Sequence, residues 1–132
     1  MITFDTSMLL SLADDREEHF AKASEFLYSS RPPFVIPVPI LSEICYLLEE
    51  WVGMRSLMTF LDDISAGSFV LDCGEHDLPR IRELVQRYAD MPLGYADAAV
   101  IACAERNGGR VATFDLRHFA AVAREGTIQI VP

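Results

Sequence analysis

The stretch Tyr95-Ala96-Asp97-Ala98-Ala99-Val100-Ile101-Ala102-Cys103-Ala104-Glu105-Arg106-Asn107-Gly108-Gly109-Arg110-Val111-Ala112-Thr113-Phe114-Asp115 decides how this chain is built. Its first ten residues carry a single charge, Asp97. A helix that apolar is covered on most sides. Asn107-Gly108-Gly109 stops it, and Arg110 to Phe114 reads as a short buried strand ending at Asp115. A fully buried helix followed by a buried strand belongs to a parallel sheet covered on both faces.

The rest of the chain repeats that alternation. Met1 to Phe4, Phe34 to Ile36, Ser68 to Leu71 and Thr127 to Val131 read as further strands. A short helix runs through Met8 to Leu12, capped by Thr6 or Ser7. Asp14-Asp15 precedes a helix over 15–29, stopped by Pro32-Pro33. Further helices are predicted over Pro39 to Val52, over 54–65 with Leu57, Met58 and Leu61 inward, over Glu75 to Tyr88, and over 116–123. No repeat or linker interrupts them. The expectation is one α/β domain over 1–132, in three α/β/α layers around a mostly parallel sheet of four to five strands.

Composition narrows the class. The chain has 132 residues, of which 51% are hydrophobic, enough for a core and too many for a disordered chain. No run approaches the roughly 18 apolar residues of a membrane span. Asp5 and the lack of a basic residue before Met8-Leu9-Leu10 argue against a secretory signal, so a cytoplasmic protein is expected. The net charge of −9 argues against nonspecific binding of polyanions. The charge is uneven: residues 1–74 hold twelve acids and four bases, residues 75–132 eight acids and seven bases. The arginines of the second part are the better anion-facing candidates, against a plain solvated surface. Cys45, Cys73 and Cys103 are widely spaced, and His19, His76 and His118 show no zinc-type spacing.

Four acids fall where chemistry would sit. Asp5 ends the first strand and Asp115 the fourth, and ligands of parallel α/β sheets bind beyond the carboxyl ends of strands. Each could equally cap the helix that follows it. Asp97 in its apolar helix would cost several kcal/mol unless paired, neutralised or bound to a cation. Glu43 stands in the first turn of its helix, an ordinary place for a glutamate. Converging carboxylates without a basic partner raise one another's pKa, and a hard divalent cation resolves the conflict. Oxygen donors without Cys or His fit Mg²⁺ or Mn²⁺ rather than Zn²⁺, and such a site suits phosphodiester hydrolysis.

Asp5-Thr6-Ser7, Glu43, Leu93-Gly94-Tyr95-Ala96-Asp97-Ala98 and Ala112-Thr113-Phe114-Asp115-Leu116-Arg117-His118-Phe119 together resemble a PIN-domain ribonuclease. More narrowly, over about residues 1–120, the chain is similar to the VapC-type toxins of toxin–antitoxin pairs. The resemblance implies a PIN-like fold, Mg²⁺-dependent cleavage of RNA, a homodimer and a small antitoxin partner. By position it makes Asp5 and Asp97 the principal metal ligands. Glu43 would hold the metal or orient its water, and Asp115 would complete the quartet. Thr6 or Thr113 would hydrogen-bond the carboxylates. Arg117 and His118 would touch RNA phosphate, or be respectively solvated and packed. Asp90 would stand at the pocket edge or cap its loop.

Two other Mg²⁺-binding α/β classes are excluded. A phosphoacceptor receiver needs a late lysine, and the one lysine is Lys22; a haloacid-dehalogenase-like phosphatase needs an acid where Ser7 stands. The alternative from another class is a noncatalytic PIN-fold module that docks a protein. Met8, Leu9, Leu12 and the helices near 41–61 carry apolar residues beyond a plain core's needs, which predicts a groove for an amphipathic antitoxin segment.

Overall fold

Five short strands alternate with seven helices in the structure, a computed structural model that describes residues 1–132. The strands are β1 (Ile2–Phe4), β2 (Phe34–Pro37), β3 (Val70–Asp72), β4 (Arg110–Ala112) and β5 (Gln129–Val131). The helices are α1 (Thr6–Ala13), α2 (Phe20–Ser29), α3 (Leu41–Leu47), α4 (Met54–Ser65), α5 (Leu78–Arg87), α6 (Tyr95–Arg106) and α7 (Leu116–Ala123). The sheet is wholly parallel, in the order β3-β2-β1-β4-β5. From β1 the chain builds outward to β3, then returns to lay β4 on the other side of β1. The strand order therefore reverses between β1 and β4, and a crevice opens beyond their carboxyl ends.

Burial explains the strand sequences. Ile2, Phe4, Ile36, Val111 and Ala112 have no exposed surface, as befits strands covered on both faces. The helix α6 lies against β1, β2 and β4 and buries every residue from Ala98 to Ala104. Four of those seven are alanine, and their small side chains let the helix backbone approach the sheet closely. No helix is long and apolar enough to cross a membrane.

The bounds of α4, α6 and α7 agree with the periodicity. Others move for local reasons. The second helix starts at Phe20, not at residue 15, because the Asp14 carboxylate accepts from the Arg16 amide and guanidinium instead of capping a helix. The stretch Pro39 to Val52 is not one helix. A 3₁₀ turn, Val38–Ile40, leads into α3, and a wider turn, Leu48–Val52, closes at Gly53, whose φ of 133° suits glycine. On α4 Phe60 is buried and Leu57 packs against the core as expected, while Met58 and Leu61, expected inward, are 52% and 39% exposed. The fifth helix starts at Leu78, because buried Asp77 turns back to pair with Arg106. The fourth strand ends at Ala112, two residues short of Phe114.

Candidate active site

Asp5, Glu43, Asp97 and Asp115 line one cavity of about 200 Å³ at the β1–β4 reversal. Four different elements deliver them. Asp5 leaves the end of β1, Glu43 stands in the first turn of α3, Asp97 in the first turn of α6, and Asp115 just before α7. Thr6 and Ser7 also face this cavity, and no lysine or arginine does.

Asp5 is the most constrained of the four. It is 5% exposed and caps α1, its Oδ1 accepting from the Met8 amide at 2.9 Å. The Ser7 hydroxyl donates to Oδ1 at 2.8 Å and the Thr113 hydroxyl to Oδ2 at 2.6 Å. These donors favour the charged form, yet burial outweighs them and pushes the Asp5 carboxyl up to about 6. Capping and site carboxylate, which sequence reading left open for Asp5, are thus compatible. Asp115 precedes α7 but makes no capping bond with its side chain.

Asp97 is partly buried, its side chain 28% exposed. Burial raises its pKa, and the nearby Asp115 and Glu43 carboxylates add to that; His118 acts the other way. The His118 Nδ1 lies 3.2 Å from Asp97 Oδ2 and 3.1 Å from Asp115 Oδ2.

Of the predicted supporting hydroxyls, Thr113 reaches a carboxylate and Thr6 does not; Ser7 takes that place. The Ser7 hydroxyl also meets Thr113 Oγ1 at 3.2 Å and accepts from the Phe114 amide, while Thr113 Oγ1 accepts from the Asp115 amide. One hydroxyl pair therefore ties the ends of β1 and β4 together. The signal was present in the sequence as a hydroxyl two residues after Asp5. Arg117 is exposed and in no ion pair, whereas His118 is packed against two site carboxylates. Asp90 is exposed and does not line the cavity.

The donor chemistry fits a hard divalent cation. Carboxylates crowd one small cavity, two have raised pKa values, and no cationic side chain lines it to neutralise them. His118 is near enough to Asp97 and Asp115 that one ligand atom from each lies within 4.8 Å of the others. The oxygen-only donor set expected from sequence therefore has an imidazole at its margin.

Residues 2–125 match the PIN domain family. The chain belongs to the PIN domain family. It is 33% identical over 120 residues to a ribonuclease VapC26 of Mycobacterium tuberculosis, covering 89% of each chain. Among solved structures it resembles VapC20 of Mycobacterium tuberculosis, a sarcin–ricin loop cleaving toxin, with a TM-score of 0.82, 21% identity, and 92% and 95% of the two chains covered. The DNA-bound VapBC of Salmonella typhimurium gives a TM-score of 0.68 and 24% identity over 98% and 96% of the chains. At those identities the solved structures speak for the PIN fold alone. The α/β fold and the family expected from the sequence agree with these matches.

Proposed function

We propose that this PIN-domain chain is a Mg²⁺-dependent endoribonuclease, the toxin of a toxin–antitoxin pair, that hydrolyses RNA phosphodiester bonds at the Asp5, Glu43, Asp97, Asp115 cavity. The observation that carries this reading is the meeting of four carboxylates from four elements at the strand-order reversal. Its family and its VapC26 relative, named a ribonuclease, support the enzyme class.

Asp5 and Asp97 would hold the divalent cation, with Asp115 completing the donor set. Mg²⁺ is the assignment, and Mn²⁺ a substitute of the same donor preference. A cation held there would supply positive charge to polarise the phosphodiester and acidify water. Thr113 and Ser7 fix the Asp5 rotamer by donating to its two oxygens. Glu43, exposed at the cavity mouth, orients the attacking water and accepts its proton. Arg117, exposed beside Asp115, contacts RNA phosphate. As a toxin acting on the RNA of its own cell, it works in the cytoplasm.

The antitoxin reading rests on a second cavity, of about 770 Å³, remote from the carboxylates. Leu9, Leu12, Leu27, Val52 and Phe60 are among its lining residues, with Arg55 and Asp63 as its charged groups. That is a groove for an amphipathic helix of the antitoxin. Met8, expected there, is instead wholly buried in the core. A homodimer is proposed on the family resemblance, and Tyr46, Trp51, Met54 and Met58 are exposed apolar side chains that such a contact would cover.

The test is cleavage of RNA by purified protein in Mg²⁺ and in EDTA, with Asp97→Asn as control. Cleavage in Mg²⁺ alone, lost in the variant, is expected. Unimpaired cleavage by Asp97→Asn overturns the site. No cleavage of any RNA, with antitoxin binding intact, would leave the noncatalytic docking module standing instead.

A further inference from the structure

His118 stands in the first turn of α7, three residues after Asp115, with its side chain 20% exposed. Its Nδ1 hydrogen-bonds Asp115 Oδ2 at 3.1 Å and lies 3.2 Å from Asp97 Oδ2. Both neighbours of that nitrogen are carboxylate oxygens, so the ring proton belongs on Nδ1. The two acids come from different elements, α6 and the turn before α7, and share no direct backbone link. Left alone, their like charges would push them apart. His118 itself does not line the cavity that Asp97 and Asp115 line.

We propose that His118 is a positioning residue for the cation site: from outside the cavity its Nδ1–H holds the Oδ2 atoms of Asp97 and Asp115 together. Their other oxygens are left for the cation. The imidazole acts through the carboxylates and is not itself a ligand. A neighbour that orients a liganding group in this way changes metal affinity by about 10–100-fold when removed. This inference rests on the carboxylate site proposed above.

Mn²⁺ is a suitable probe, because its binding is read by electron paramagnetic resonance without any RNA. Three proteins are compared: wild type, His118→Phe, which keeps a planar ring without the donor, and His118→Asn, whose amide can donate from near the Nδ1 position. Expected are a loss of Mn²⁺ affinity of about 10–100-fold in His118→Phe and recovery to within about threefold of wild type in His118→Asn. Wild-type affinity in His118→Phe overturns the proposal, as does an Asn variant no better than Phe. Pulsed measurements on the wild-type Mn²⁺ complex need no variant, so they hold even if His118→Phe folds poorly. They are expected to show no directly bonded nitrogen. A directly bonded ¹⁴N would make His118 a ligand and overturn the positioning role. Failure of the wild type to bind Mn²⁺ at all would bring down the carboxylate site itself, a result distinct from the others.

Discussion

Asp5 sets the electrostatic character of the site. Its carboxyl is pushed up to about 6 by burial, above the ordinary 3.8. For an acid raised on folding, the folded state holds a proton that the unfolded state has released between those two values. Stability therefore falls as pH rises from about 4 to about 6, and the penalty is complete above that. Asp5→Asn removes the charge but keeps an oxygen for the Met8 amide. In metal-free protein at neutral pH the variant should be as stable as wild type or more stable, by up to about 3 kcal/mol. Denaturant titrations of both proteins at pH 4 and pH 7 check this: the variant's advantage should appear at pH 7 and vanish at pH 4. Metal binding has the opposite sign, since the cation needs the ionised carboxylate. Mn²⁺ affinity of the wild type should fall as pH drops through about 6. Thr113→Val removes the donor to Asp5 Oδ2 and the acceptor of the Asp115 amide from a site only 2% exposed. It should cost about 1–3 kcal/mol of stability and weaken metal binding, seen in the same two titrations.

Elements with strong internal signals were legible in the sequence, and those shaped by distant partners were not. The helix α6 announces itself by unbroken apolar residues and a terminal Gly-Gly, and α4 and α7 by clear starts and stops. The start of α2 was hidden because Asp14 spends its carboxylate on Arg16. The start of α5 was hidden because Asp77 pairs with Arg106, 29 residues away. That the four acids of the candidate site would meet was legible because each stands at the end of a strand or the start of a helix. Ser7 and His118 were not assigned to them, since a hydroxyl or an imidazole near a carboxylate is commonplace until tertiary structure brings the second carboxylate or strand end into contact. At this scale the groove between α1, α2 and α4 yields a clean prediction. Leu12→Lys places a charge on the groove, away from the carboxylates. Co-purification of the antitoxin should be lost while Mg²⁺-dependent RNA cleavage persists; loss of cleavage with the antitoxin still bound would contradict the assignment.

Across the whole molecule, the sheet order explains why an acidic chain can still handle a polyanion. The reversal between β1 and β4 gathers four of its twenty acids in one crevice, where a bound divalent cation would offset part of their charge and present a positive centre to phosphate. The arginines of residues 75–132, read from sequence as anion-facing, are partly spent on the fold. Arg80 pairs with Glu105, Arg87 with Glu125, and Arg106 with Asp72 and Asp77. Arg82, Arg110, Arg117 and Arg124 are exposed and in no ion pair, and of these Arg117 adjoins the site. Arg117→Ala should weaken RNA binding and flatten its salt dependence without altering Mn²⁺ affinity. Measured KM and metal titrations separate those effects.

In the proposed function the carboxylate cavity hydrolyses RNA with a divalent cation. Hydrolysis by activated water attacks phosphorus directly and leaves the 2′-hydroxyl idle, whereas a metal-free ribonuclease uses a general base to make that hydroxyl the nucleophile. End-group analysis of cleaved RNA distinguishes the two most directly. Expected are 5′-phosphate and 3′-hydroxyl ends, formed in Mg²⁺ and abolished by EDTA or by Asp97→Asn. Ends bearing 2′,3′-cyclic phosphate, formed equally well in EDTA, would contradict it.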